Sequence, residues 1–157
     1  MNVQQKNKEK GFTIIEVVLV LAIAGLIFLM VFIALPALQR GQRDTQRKQD
    51  LSRAQTKVND YQSNNRNSLP TNWGDFATKY LVVGNDTFTD PSGANYTFVA
   101  KDGASSEVTG TFEENQNKVF YTTSATCGDD GAVNAAGARK VALRMKLEGG
   151  GVACASN

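Results

Sequence analysis

The hydrophobic and polar positions divide the chain into three stretches of different character. Residues 12–38 form an apolar run interrupted by a single charge, Glu16. Residues 39–63 begin without apolar side chains and then show an apolar stripe at helical spacing. The stripe consists of Leu51, Ala54, Val58 and Tyr61. From residue 64 onward, short apolar groups alternate with glycine, proline and asparagine, which is typical of strands and turns.

The apolar run predicts a transmembrane helix. Val17 to Leu38 contains no charged residue, and about 20 apolar residues suffice to cross a bilayer. A cleavable secretory signal has a shorter apolar region, of roughly 7–15 residues. We therefore expect a retained span, and the stripe predicts that the same helix continues to about Ser63.

The remaining chain predicts a β-rich head. A short helix is expected over 74–81, followed by strands at 88–98 (two, about a turn at 91–93), 108–112, 118–126 and 141–147. The last strand alternates apolar and polar residues, as a half-buried strand does. A helix followed by strands predicts an α+β fold, in which the long N-terminal helix packs on a C-terminal antiparallel sheet.

Charge is balanced overall but uneven along the chain. The net formal charge is +2. Residues 39–68 have seven basic and three acidic side chains, a net of +4, whereas residues 69–157 have seven and ten, a net of −3. The basic segment is expected to be a solvated helix face. Histidine is absent, which removes the commonest general base and metal ligand and disfavours an enzyme.

Cysteine and acidic pairs suggest two further features of the head. Cys127 and Cys154 predict a disulfide, because an even cysteine count beside a membrane segment favours an oxidising compartment. Two buried free thiols are the alternative. Asp129 and Asp130 are weak calcium candidates, since such a pair is usually just solvated. No other cofactor is expected. Sequons for glycosylation begin at Asn85 and Asn95.

Glu16 is the unusual residue of the apolar run. A carboxylate at the centre of a spanning helix costs about 2.5–3.5 kcal/mol. One interpretation places Glu16 at the membrane interface near the helix N-terminus, where the helix dipole favours an anion. The other is that assembly supplies a cation for Glu16.

The segment around Glu16 resembles the class III signal of type IV pilins and pseudopilins. A basic leader ends at Gly11, Phe12 follows, and Glu16 is the fifth residue after Gly11. Gly25 also matches a common glycine of that family, whereas Pro36 falls about three residues later than the family's usual proline. The resemblance implies cleavage after Gly11 by a prepilin peptidase and N-methylation of Phe12.

The resemblance also implies a domain organisation and a function. Residues 1–11 would be the leader, 12–38 the transmembrane and assembly helix, 39–63 its amphipathic continuation, and 64–157 the head with a C-terminal disulfide loop. The expected product is a type IV pilus subunit that polymerises with identical copies. Glu16 would then pair with the N-terminal amine of a neighbouring subunit. The basic segment 39–68 could alternatively meet the acidic head of the next copy.

Partners and location follow from the same resemblance. The partners would be a prepilin peptidase and methyltransferase, an inner-membrane assembly platform and ATPases. The chain would lie in the cytoplasmic membrane with its N-terminus inside and later in an extracellular filament. Roles known for such filaments are twitching motility, cell adhesion, DNA uptake and secretion. Nucleic acid is not an expected partner, because the basic segment would face the filament interior.

Two alternatives remain open at this point. One is a pseudopilin of a type II secretion system or a minor pilin. The other belongs to a different class, a signal-anchored extracellular binding domain that never polymerises. Such a domain would keep its uncut N-terminus and would not depend on Glu16.

Overall fold

The computed structural model describes residues 11–84, 87–103 and 107–157. The chain divides into two units at the boundary between Leu38 and Gln39, and each unit is described by itself. One helix, α1, runs from Ile14 to Asn64, close to the predicted limits of Phe12 and Ser63. In the first unit, α1 carries the apolar run, and the helix continues without a break through Pro36.

The second unit adds short helices and six strands. The helices are α2 (Trp73–Phe76), followed directly by a π-helical turn (Ala77–Leu81), and α3 (Phe112–Asn115). The strands are β1 (Thr97–Ala100), β2 (Lys118–Thr123), β3 (Ala125–Cys127), β4 (Val133–Ala135), β5 (Val141–Lys146) and β6 (Val152–Ser156). A 3-10 turn, Asp129–Gly131, lies between β3 and β4.

The strands form one main sheet and one hairpin. The main sheet has the order β1-β2-β5-β6, and β3 pairs with β4. All pairs are antiparallel except β1 with β2, which is parallel. The α+β fold with a long N-terminal helix and a C-terminal sheet is thus confirmed. The sheet is mixed because the segment between β1 and β2 returns the chain to the end where β1 began.

The core of the second unit lies between the helical stripe and the sheet. Leu51, Ala54 and Val58 of α1 are buried together with residues of α2, the π-helical turn and the strands. Trp73 stacks on Tyr121 with ring centroids 4.3 Å apart. The predicted stripe therefore faces the sheet, and the predicted helix over 74–81 corresponds to α2 and the π-helical turn.

The strand predicted at 108–112 is wrong. This segment has no strand pairing, and α3 begins at Phe112. Thr111 is the N-cap: its Oγ1 accepts from the Glu114 N–H at 3.4 Å, while Glu114 Oε2 accepts from the Thr111 N–H at 3.1 Å. This reciprocal capping box satisfies two donors at the helix start. It outweighs the β-propensity of Val108, which is buried without joining the sheet.

Two other strand predictions needed smaller corrections. The segment 118–126 breaks at Ser124, whose φ of 54° is left-handed, so the chain leaves the main sheet after β2 and enters the β3–β4 hairpin. At 88–98, the two expected strands reduce to a single antiparallel bridge between Thr89 and Asn95, and β1 starts only at Thr97.

Strand β5 is buried on both faces rather than half-buried. Ala142 and Arg144, expected to face solvent, are almost completely buried. The β3–β4 hairpin covers this face, since Ala125 and Val133 pack with Ala142. A disulfide between Cys127 and Cys154, with Cα atoms 5.8 Å apart, joins the hairpin to β6. The alternation along 141–147 correctly predicts strand β5, but it does not reveal that the β3–β4 hairpin covers the second face of that strand.

A buried ionic cluster joins α1 to the head, contrary to the expectation of a solvated basic face. The Arg47 side chain is fully buried and donates to both Asp90 oxygens, at 2.7 and 3.2 Å. Arg47 Nη1 also lies 3.0 Å from Asp44 Oδ1. Arg43 Nε donates to Glu148 Oε2 at 2.8 Å. The acids that meet the basic segment thus belong to the same chain.

Asp44 fixes the turn between β5 and β6 to the helix. Its two oxygens accept the backbone N–H groups of Glu148 and Gly149, at 2.9 and 2.7 Å. A Cβ added at Gly149 would lie 3.0 Å from Asp44 Oδ2. The close approach of this turn to α1 therefore favours glycine at position 149.

The cluster shifts the pKa values of its members. Burial of Asp90 opposes its charged form, but hydrogen bonds from Arg47 and Ser92 outweigh burial and lower the Asp90 pKa. Likewise, burial opposes the charge of Arg47, yet pairing with Asp90 and Asp44 raises the Arg47 pKa. The hydrogen bond from Arg43 lowers the pKa of Glu148. Arg47, Asp90 and Glu148 are therefore charged at neutral pH.

Arg47→Met is expected to destabilise the head by about 3–5 kcal/mol, because it leaves the buried Asp90 carboxylate without its cation. The measurement is the free energy of unfolding in urea, followed by circular dichroism in detergent micelles. Because pairing lowers the Asp90 pKa below its ordinary value of 3.8, its contribution is present near neutral pH and is lost as pH falls through the folded-state pKa. The difference between wild type and variant should therefore narrow below about pH 4.

The matched control is the exposed pair formed by Lys57 and Asp60, whose charged atoms are 2.9 Å apart. Asp60→Asn should change the free energy of unfolding by no more than about 1 kcal/mol. An Arg47→Met effect as small as that of the control would show that the buried cluster does not stabilise the head.

Candidate functional site

The predicted cleavage position lies in exposed, non-helical chain. Gly11 and Phe12 precede the first turn of α1, and Phe12 is 90% exposed. A Cβ placed on Gly11 would have no neighbour within 4 Å. The Gly11–Phe12 bond is thus accessible and outside regular structure, which is where proteolysis concentrates. The predicted leader residues 1–10, with their lysines, lie outside the described residues.

Glu16 forms a capping box with Thr13 at the start of α1. Glu16 Oε2 accepts from the Thr13 backbone N–H at 2.9 Å and from Thr13 Oγ1 at 2.7 Å. In return, the Glu16 N–H donates to Thr13 Oγ1 at 3.4 Å. In this structure, the carboxylate therefore caps the start of its own helix, and its position at a membrane interface remains a prediction. Pairing of Glu16 with an amine remains a prediction.

Cleavage would place a cation beside this carboxylate. Before cleavage, the Phe12 nitrogen is an uncharged amide. Cleavage after Gly11 would convert it to an ammonium, one residue before the Thr13 N–H that already points to Glu16. Within the described residues, Glu16 has no ion-pair partner. The new cation could pair with Glu16 of its own helix or of a neighbouring copy.

The apolar side chains of the first unit form an uncovered surface. Large hydrophobic residues from Phe12 to Leu38 are exposed, with Val31, at 44%, the least exposed of them. In the part of the chain that the structure describes, α1 is the one helix long and apolar enough to cross a membrane. Such a surface requires lipid or protein around it, because exposing it to water is unfavourable.

At Gly25 the apolar surface of α1 has no side chain, so the helix is locally thinner there. A Cβ at this position would have no neighbour within 4 Å, so the backbone itself is accessible there. Small residues on a membrane helix allow another helix to approach closely. Gly25 is thus suited to helix–helix contact.

The head contains the other residues singled out from the sequence, far from Glu16 along the chain. Asp129 and Asp130 are exposed in the 3-10 turn. Within residues 11–84, 87–103 and 107–157, no group of three or more potential metal ligands occurs. Asn95 and Thr97, of one glycosylation sequon, are exposed. Asn85, of the other, lies outside the described residues.

Sequence reasoning missed two features that the sequence contains. Thr13-Ile-Ile-Glu16 has the Thr-x-x-Glu spacing of a capping box directly before an apolar run, so the role of Thr13 was readable. The sequence indicates the Arg47 cluster only indirectly, because a basic segment (39–68) is followed by an acidic one (69–157). Asp44, Asp90 and Glu148 are too far apart in sequence for spacing to reveal their common partner.

Comparison with known proteins identifies the N-terminal segment. Residues 6–32 match the family model of the prokaryotic N-terminal methylation motif. Comparisons with curated proteins and with solved structures give no match. Proteins with this motif are structural, pilin-type proteins and not enzymes, and the motif implies processing by a prepilin peptidase. The N-terminal segment of the chain therefore has the methylation motif of type IV pilin-like prepilins with a class III signal.

Proposed function

We propose that this chain is the structural subunit of a type IV pilus filament. In this proposal, the leader is removed after Gly11 and Phe12 is N-methylated. Before assembly, the mature chain spans the cytoplasmic membrane with its N-terminus on the inside. Identical copies then assemble through residues 12–38 into an extracellular filament. The chain is a substrate and a building block, and assembly ATPases supply the work.

One observation supports this proposal above the others: the methylation motif at residues 6–32 includes most of an apolar run whose large side chains are exposed. No residue of 12–38 belongs to either core cluster of the head. Each large apolar side chain moved out of water contributes about 1.5–3 kcal/mol. A segment held in lipid can therefore exchange lipid for sister helices without any loss of packing in the head core.

The same exchange gives Glu16 a role. In the membrane, Glu16 near the helix start can reach the aqueous interface. In a filament, that interface is lost, and an unpaired carboxylate becomes costly. An ammonium about 4 Å away would interact with it by about 4 kcal/mol at an effective dielectric near 20, before desolvation. This dependence would fix the axial position of each incoming subunit.

The native protein isolated from cells should begin at Phe12 with one methyl group on its nitrogen. Intact-protein and peptide mass spectrometry would measure this directly. A native protein that begins at Met1 would exclude both a pilin and a pseudopilin. It would favour the signal-anchored binding domain.

Glu16→Ala should enter the membrane normally but reduce filament yield by about tenfold or more, because it removes an ion pair made only on assembly. The measurement is the amount of this chain in sheared filaments relative to the membrane fraction. Glu16→Gln is the matched variant, since glutamine retains the capping box but not the charge. Both variants should fail if charge pairing is the role of Glu16.

Thr13→Val supplies the converse control. It removes the side-chain cap, at a cost of about 1 kcal/mol, and leaves the charge of Glu16 intact. Its filament yield should stay close to wild type. Normal filaments from Glu16→Gln, together with few from Thr13→Val, would assign Glu16 to helix capping alone.

The alternative, a pseudopilin of a type II secretion system, does not predict long filaments outside the cell. A major pilin predicts long filaments outside the cell that consist mostly of this chain. Electron microscopy of sheared material, with quantification of its subunits, distinguishes a major pilin from a pseudopilin or minor pilin.

A further inference from the structure

The strands of the head have opposite charges at their two ends. The basic end is defined here as Arg66, Arg139 and Lys140, and the acidic end as Glu107, Asp129 and Asp130. All six side chains are exposed. Within the described residues, none of the six takes part in an ion pair.

The basic end lies at the C-terminal end of α1. Gln62 Nε2 donates to the Arg139 carbonyl at 2.8 Å, and Asn157 Nδ2 donates to the same oxygen at 3.1 Å. Arg66 follows the last turn of α1 and lines an open surface hollow with Gln62. These contacts bring the loop before β5 and the end of the helix to one side of the head.

The acidic end lies at the tip of the β3–β4 hairpin. Asp129 and Asp130 form the turn of that hairpin, and together with Glu107 they line a cleft of about 540 Å³. Two cations of β5, Arg144 and Lys146, also line this cleft. The Lys146 ammonium donates to the Val108 carbonyl at 3.2 Å, and Arg144, which is buried, donates to Thr122 Oγ1 at 3.0 Å. The acidic end therefore corresponds to the far end of β5.

The two ends cannot meet within one molecule. Lys140 directly precedes Val141, where β5 begins, whereas the acidic cleft is lined by Arg144 and Lys146, in the second half of that strand. A strand of six residues spans about 20 Å. At physiological ionic strength, charges are screened over about 8 Å. The opposite charges of one head therefore hardly influence each other.

We propose that the basic end of one head docks on the acidic end of the next copy of this chain. The inference rests on the proposed filament and names a head surface that would guide its growth. Each copy presents three exposed cations at one end and three exposed carboxylates at the other, so a head-to-tail contact brings exposed charges of opposite sign together. Such a contact is heterologous, and repetition by a screw operation extends it without limit.

A second copy fits this surface better than another partner does. A polyanion would engage the basic end and leave the acidic end unused, whereas a sister head uses both. Complementary charges also steer encounter and suppress wrong registers. The buried cluster around Arg47 is already satisfied by Asp44, Asp90 and Glu148, so it is not the surface that a neighbouring head would engage.

Zero-length cross-linking of native filaments tests the contact directly. A carbodiimide joins the Lys140 amine to a carboxylate only when they touch. Peptide mass spectrometry should recover Lys140 linked to Asp129, Asp130 or Glu107. Subunits dispersed in detergent and treated in parallel show whether such a link can form within one molecule. Filaments that give other cross-links but none between these residues would overturn the proposal.

Charge reversal provides the second test. Arg139→Glu with Lys140→Glu, or Glu107→Lys with Asp129→Lys, should each lower filament yield by about tenfold, because like charges would then face each other. Combining all four changes should restore yield to within about threefold of wild type, as coupled sites do. Lys79→Glu, an exposed lysine at neither end, is the control and should assemble normally.

The outcomes separate this contact from the filament itself. Normal yield from both reversals, or no recovery in the combined variant, overturns the docking of these ends and leaves the filament proposal standing. Wild-type protein that retains its leader and forms no filament overturns the proposed function and this contact together. A basic-end loss that the combined variant does not repair means that the basic end meets a different surface.

Discussion

The apolar surface between Phe12 and Leu38 is the constraint on which the rest of the molecule depends. Because its large apolar side chains are exposed, the segment is unfavourable in water. Lipid satisfies this surface, and in the proposed filament sister helices would satisfy it instead. The head must therefore be complete by itself, and its core accordingly begins with the stripe at Leu51.

The fold was largely predictable, because its main signals are periodic and local. The apolar run, the stripe of α1 and the alternation of β5 each repeat at the spacing of their element. What failed were decisions between elements. Thr111 with Glu114 made a helix start of a segment with β-propensity, and Ser124 turned the chain out of the main sheet. The start of α3 and the turn at Ser124 each depend on one or two residues. A periodicity calculated over a window of many residues does not detect such local signals.

The candidate site was predictable in its residues but not in its contacts. The roles of Gly11, Phe12 and Glu16 are implied by the resemblance to the class III signal, and the methylation motif matches the segment that contains them. The hydrogen bonds between Thr13 and Glu16 also have a sequence signal, the Thr-x-x-Glu spacing of a capping box. The partners of Arg47 lie at Asp44, Asp90 and Glu148, and only the folded chain brings such distant positions together.

In the proposed filament, the disulfide between Cys127 and Cys154 would have a mechanical consequence when a subunit is pulled. It closes a covalent loop that contains β4, β5, the whole connection to β6 and the first residues of β6. Traction reaching the head through α1 would act on the β5–β6 turn, which Asp44 holds against the helix. If those strands separated, the disulfide would still prevent the residues between Cys127 and Cys154 from extending fully. The bond therefore limits how far one stretched subunit can elongate.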